Sequence, residues 1–167
     1  MAVSDNGVKK QHRFKDFFYW NLVLAVPLVT AMIAIANHSL AGLAAFVLLI
    51  VLMAGIIYRF FCTHCPHYLQ GQKSTRCMFF WGMPKFFKEK PGPLNTKEKI
   101  VSTVAPLITL AFPIPWLMDQ PGLMTIYLLS LTVTGWTMWR QECVRCAHIH
   151  CPANRVNTPT ENDAQKA

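Results

Sequence analysis

Six cysteines fall in two short stretches of this chain. The first holds Cys62, Cys65 and Cys77, and the second holds Cys143, Cys146 and Cys151. His64, His67, His148 and His150 are interleaved with them. The common reading of a cysteine is a small buried hydrophobe. Here none lies in the long apolar runs, and two pairs share the spacing C-x-x-C. Binding a metal needs several soft thiolates within about 2.3 Å of one ion, and a C-x-x-C turn offers two from a few residues. The expected ligands are Cys62, Cys65, Cys77, Cys143, Cys146 and Cys151, with His67 and His148 as ligands or as hydrogen-bonding supports to them.

Three ligand sets fit this pattern. Each half of the chain binds its own metal centre, or one site joins Cys62, Cys65, Cys143 and Cys146, or ligands are exchanged between halves. Two sites are preferred, because Cys77 and Cys151 supply each half with one extra thiolate. The second cluster, C-x2-C-x4-C-P, resembles the end of a bacterial ferredoxin motif, with a different spacing. The expected cofactor is therefore one or two iron–sulfur clusters, 4Fe-4S in the ferredoxin analogy, with structural zinc as the alternative. A redox-active thiol set is the third chemistry. Haem c is excluded because Cys65 is followed by Pro66 and Cys146 by Ala147. Haem b would need histidines within the apolar runs, and the one candidate, His38, lies in a polar break. His64 and His150 read as exposed loop residues.

The elements that must carry these residues are apolar. Of 167 residues, 53% are hydrophobic and only 14% charged, which excludes a disordered chain, a coiled coil and an ordinary soluble enzyme. No charge lies between Phe17 and Tyr58, and between Ile100 and Trp139 the one charged residue is Asp119. Each block is about twice the ~20 residues that cross a bilayer. The breaks at Asn37-His38-Ser39 and Asp119-Gln120-Pro121-Gly122 divide them into four helices, at 17–36, 40–60, 99–118 and 122–140. The fold class is thus an all-α membrane protein of two helical hairpins. Its expected segments are 1–16, hairpin 17–60, a Cys-, aromatic- and Lys-rich loop 61–98, hairpin 99–140, and a Cys-rich tail 141–167. The first apolar run is too long for a signal peptide and lacks a small-residue cleavage site.

All sixteen Lys and Arg lie before the first helix, in the 59–99 stretch, or from Arg140 onward, and none lies in the two breaks. The positive-inside rule then puts both termini and the central loop in the cytoplasm, in a multi-pass inner-membrane protein. The reducing cytoplasm disfavours structural disulfides. Phe17, Phe18, Tyr19, Trp20, Tyr58 and Trp139 fit an aromatic belt at the inner face, and Trp116 fits the outer one. Lipid accounts for the basic charge, so no nucleic-acid partner is expected.

The halves repeat. Arg59-x-x-Cys62-x-x-Cys65-x-His67 aligns with Arg140-x-x-Cys143-x-x-Cys146-x-His148, and Pro27-Leu-Val-Thr30 with Pro106-Leu-Ile-Thr109. Both hairpins would point the same way, as a parallel repeat about an axis along the membrane normal. The loop segment from Cys77 to Pro93 reads as lying in the headgroup layer, or else as a lid over a metal site or a docking surface. Asn95-Thr96-Lys97-Glu98 offers a cap to the third helix.

Paired C-x-x-C motifs, Gly82-Met-Pro-Lys85, Pro91-Gly-Pro93 and Cys151-Pro-Ala-Asn-Arg155 together resemble small four-helix membrane proteins of anaerobic microbes. The resemblance covers most of the chain, implies an anaerobic, metal-binding context and adds no catalytic residue. The expected function is an integral-membrane iron–sulfur protein, an electron-transfer or accessory subunit serving a cytoplasmic redox partner or a larger membrane complex. A zinc-bound scaffold or assembly factor and a membrane thiol redox protein or sensor are the alternatives. The runs hold no mid-membrane charge for an ion pathway and no acid–base set for hydrolysis.

Overall fold

The computed structural model describes residues 12–69 and 74–146, so His148, His150 and Cys151 lie outside the described residues. The chain is mostly helical. Helix α1 spans Phe14–Ala36, α2 Leu40–Phe60, α3 Pro66–Leu69, α4 Thr96–Ala111, α5 Ile114–Met118 and α6 Pro121–Gln141. Two short strands, β1 Ser74–Arg76 and β2 Trp81–Pro84, pair antiparallel, with Ser74 opposite Pro84 and Arg76 opposite Trp81. This strand pair is an addition to the expected all-α plan. The amide of Cys77 donates to the Phe80 carbonyl at 3.3 Å and closes the turn between the strands.

Three helical stretches are long and apolar enough to cross a membrane: Phe14–Ala36, Leu40–His64 and Thr96–Met118. At 1.5 Å per residue, α1 is roughly 34 Å long, enough for the ~30 Å hydrocarbon layer. Their outer faces are bare: Leu48 is 70% exposed and Val51 64%. An apolar surface of this extent is unfavourable in water and is what lipid contact requires. Helix α6 has a similar length but more hydroxyl groups. It hides them against its own backbone: Thr125, Thr132, Thr134 and Thr137 each donate to the carbonyl four residues earlier, at 2.7–2.8 Å.

The expected third helix is two pieces. The break falls at Phe112-Pro113 because Pro113 and Pro115 both lack an amide hydrogen. The Tyr127 hydroxyl donates to the Leu110 carbonyl at 2.8 Å just before this break. Pro27 and Pro106, by contrast, stay inside continuous helices. Each is followed three residues on by a threonine, and each hydroxyl donates to the carbonyl just before the proline: Thr30 to Val26 at 2.8 Å and Thr109 to Ala105 at 3.0 Å. The start of α4 follows its sequence signal. Asn95 and Glu98 form a capping box, with the Asn95 amide donating to Glu98 Oε2 at 3.0 Å.

Helix α1 packs along α6 and also against α2, α2 packs along α4, and α5 touches α1 and α6. Ala31, Ala34, Ile35, Phe46, Leu117 and Tyr127 form the buried centre. Alanines at 31 and 34 let backbones approach closely, while Phe46 and Phe112 stack at 5.5 Å. The hairpin turns meet at one end of the bundle. Asn37 Nδ2 donates to Gln120 Oε1 at 2.8 Å, and Gln120 Nε2 donates to the carbonyls of Ala34 at 3.0 Å and Trp116 at 3.3 Å. Gln120→Ala removes all three bonds and is expected to cost about 1 kcal/mol, read as a lower unfolding midpoint in detergent; an unchanged midpoint would show the turns are not coupled.

Candidate functional site

The two C-x-x-C segments lie at the other end of the bundle, just past α2 and α6, and take the same local shape. Each helix stops at one residue, Phe61 (φ −101°, ψ −49°) or Glu142 (φ −98°, ψ −40°). A 3₁₀ turn follows, Cys62–His64 or Cys143–Arg145. The second cysteine is then extended, Cys65 at φ −75°, ψ 136° and Cys146 at φ −74°, ψ 127°. A 3₁₀ turn brings residues three apart to the same side, which is what two thiols need to address one atom. Contacts across the bundle hold this end together. Trp20 Nε1 donates to Glu142 Oε1 at 3.2 Å, and Asn21 Nδ2 donates to the Met78 carbonyl at 3.2 Å. The His12 and His67 rings lie 4.8 Å apart.

Surroundings distinguish the two turns. Cys62 and Cys65 are buried with Tyr58 and Tyr68, and Phe80 and Met83 pack over them. Two tyrosines clamp this cover. The Tyr58 hydroxyl donates to the Pro84 carbonyl at 2.9 Å and lies 3.1 Å from Thr75 Oγ1. The Tyr68 hydroxyl donates to the Phe87 carbonyl at 2.7 Å and accepts the Phe87 amide at 3.2 Å. Farther along, the Lys90 amide donates to the Thr63 carbonyl at 3.1 Å. The loop is therefore a lid on the first C-x-x-C turn. Its aromatic residues divide between that duty and an outward face, where Phe86 is exposed. Cys143 and Cys146 are only half-buried.

Cys77 sits in the strand-connecting turn of this lid, within electrostatic reach of Cys62, as is Cys65. Burial pushes the Cys77 thiol above its ordinary pKa, partly offset by backbone hydrogen bonds at Phe79, Phe80 and Met78. Of the first trio of thiols expected from sequence, Cys65 and Cys77 both act electrostatically on Cys62. No disulfide joins described residues. Among the described residues, no three Cys, His, Asp or Glu side chains converge as a group able to hold a metal: Cys62, Cys65 and Cys77 do not form one, and neither do Cys62 and Cys65 with Cys143 and Cys146. The second trio is described only in Cys143 and Cys146, since Cys151 and His148 lie outside the described residues.

Several placements differ from the sequence expectation. His64 is buried, not exposed: its Nε2 lies 3.2 Å from Glu98 Oε2, and its Nδ1 lies 3.3 Å from the Gly92 carbonyl. Glu98 also accepts from Lys90 Nζ at 2.9 Å. The cap of α4 thus doubles as a tether for the first C-x-x-C turn. Tyr58 and Trp20 are interior residues, not members of an aromatic belt, because each polar tip has a partner inside the protein. Tyr68 and His12 went unnoticed in the sequence, where an aromatic and a tail histidine carry no pairing signal, and Glu98 was legible there only as part of a cap. His67 is buried beside His12. Family models, curated proteins and solved structures offer no match to this chain.

Proposed function

We propose that the chain is a four-span integral-membrane protein, with both termini and the central loop cytoplasmic, that holds iron–sulfur clusters through its cysteines. It acts as an electron-transfer or accessory subunit for a cytoplasmic redox partner or a larger membrane complex. The observation that carries this reading is the matched pair of C-x-x-C turns. They follow two helices that end on the same side of the bundle, and both have the helix, 3₁₀ turn and extended-cysteine form. Such a match favours two equivalent thiolate sites over unrelated surface cysteines. The repeat itself is supported by packing. Exchanging the halves turns the α1 against α6 contact into α4 against α2, and both are present. Pro27-Thr30 and Pro106-Thr109 carry the same internal hydrogen bond.

The donor types suit the cofactor: soft sulfurs, with Cys62 and Cys65 buried among aromatic side chains and Cys77 within electrostatic reach of Cys62, which would have to draw together to grip it. Cys62, Cys65 and Cys77 would hold one cluster, and Cys143, Cys146 and Cys151 the other, with His67 and His148 as further ligands or supports. Bound there, a cluster would supply one-electron transfer. This chain's own part is to bury the first site beneath the lid, which lowers solvent access and tunes potential, and to leave the second turn nearer the surface for exchange with a partner.

Anaerobic purification in detergent, followed by an absorption spectrum and metal analysis, tests the proposal. A brown protein with iron and acid-labile sulfide is expected. A colourless zinc protein would replace it with the scaffold reading, and a colourless metal-free protein with the thiol redox reading.

A further inference from the structure

A cleft of about 580 Å³ opens between the first turns of α1 and the last turn of α6, beside the second C-x-x-C segment. Lys15, Asp16, Tyr19, Trp20, Arg140, Gln141, Glu142 and Arg145 line it. Three cations face two carboxylates, and both carboxylates are already engaged. Asp16 Oδ2 accepts the Arg13 amide at 3.0 Å and lies 3.7 Å from His12 Nδ1. Glu142 accepts the indole N–H of Trp20 at 3.2 Å. The salt bridges among described residues involve His12, His64, Lys85 and Lys90 as the bases, so Lys15, Arg140 and Arg145 keep their charge for another partner. The Arg140 guanidinium lies 5.5 Å from the centre of the Trp136 ring, a contact that orients the group without neutralising it. Trp20 is buried while Tyr19 is half exposed, so an aromatic wall backs the charges. Rings beside guanidinium forks at the end of apolar helices suit a group with an anionic head and an apolar body.

We propose that this cleft binds a phosphate group, held by Lys15, Arg140 and Arg145. The phosphate is that of an anionic lipid headgroup or a free phosphate anion; both have the same oxygens for the guanidinium forks to grip. Exposed apolar residues run along α1 (Phe18, Leu22, Val26) and α6 (Leu129, Val133, Trp136), so a phospholipid would lay its acyl chains along these helices with its phosphate in the cleft. The proposal does not depend on the cysteines holding metal.

The test uses the full-length protein in detergent micelles, with native mass spectrometry to count bound phosphatidylglycerol and phosphatidylcholine and calorimetric titration with inorganic phosphate. Selective retention of phosphatidylglycerol identifies a lipid site, and saturable binding of inorganic phosphate identifies a free-anion site. In either case the Arg140→Gln/Arg145→Gln variant is expected to bind about tenfold more weakly. Lys88→Gln, which removes an exposed charge elsewhere, is expected to leave binding unchanged. No preference for phosphatidylglycerol together with no phosphate binding would overturn the proposal. So would an arginine variant that binds as tightly as the parent, or an equal loss in Lys88→Gln. Far-ultraviolet circular dichroism of each variant confirms that the helices are intact, and Arg140→Lys/Arg145→Lys, which keeps the charge, is expected to restore most of the binding.

Discussion

Cys62→Ser is expected to cost the protein about half of its iron, and Cys143→Ser the other half. Serine keeps the size of the thiol and leaves the packing around Tyr58 and Tyr68 largely intact, so the change acts on ligation. A hydroxyl is a harder donor than a thiolate and binds iron or zinc poorly in its place. The size of the loss is itself informative. Two independent sites, one beneath the lid and one past α6, would lose iron separately. A single site shared by both turns would lose nearly all of its iron in either variant. Metal and sulfide analysis of the two variants and the double variant, purified without oxygen, distinguishes these outcomes. Iron content equal to the parent's in both would remove Cys62 and Cys143 from the ligand set.

Opening the lid gives the second large effect. Tyr68 is fully buried, and its hydroxyl makes both contacts to the Phe87 backbone. Tyr68→Ala deletes the ring from the cluster that holds Cys62 and Cys65 and leaves the Phe87 amide and carbonyl without that partner. Large-to-small changes at buried aromatics cost about 3–5 kcal/mol. The damage should stay local, because the alanine-lined centre at the far end of the bundle shares no residue with this cluster. In metal-depleted protein, alkylation of Cys62 and Cys65 followed by mass spectrometry should therefore quicken by at least about tenfold, while the helical circular dichroism signal persists. Tyr68→Phe, which keeps the ring and loses only the hydroxyl, should fall in between. Equal alkylation rates in parent and Tyr68→Ala would mean that the lid does not protect these thiols.

Much of the helical frame was legible in the sequence because charge is so costly in lipid. Uncharged runs broken at Asn37-His38-Ser39 and at Asp119-Gln120 located the helices to within a few residues. The capping box at Asn95 and Glu98 is a local signal, complete within four residues, and needed no tertiary contact to be read. The split of the third helix was half visible: four prolines stood in the apolar runs, but only Pro113 and Pro115, two residues apart, removed enough hydrogen bonds to break a helix, while Pro27 and Pro106 were absorbed. The C-x-x-C turns and their likeness were also evident from spacing alone.

What surrounds those turns was decided by the tertiary structure. The segment after Cys77 has the composition of a lipid-surface stretch, and composition cannot distinguish rings laid on a bilayer from rings laid on a protein. Only the hydrogen bonds of Tyr58 and Tyr68 to groups 17 to 26 residues away make it a lid. The burial of His64 against Glu98 and the cleft between α1 and α6 likewise depend on contacts far apart in the chain. Residue types and their spacing suffice to say which residues can enter the apolar phase and which thiols are spaced to act together, because desolvation and short-range geometry act residue by residue. Which turn is covered, which is open and which cations are left facing one another was settled by packing, since each depends on a partner that no local pattern names.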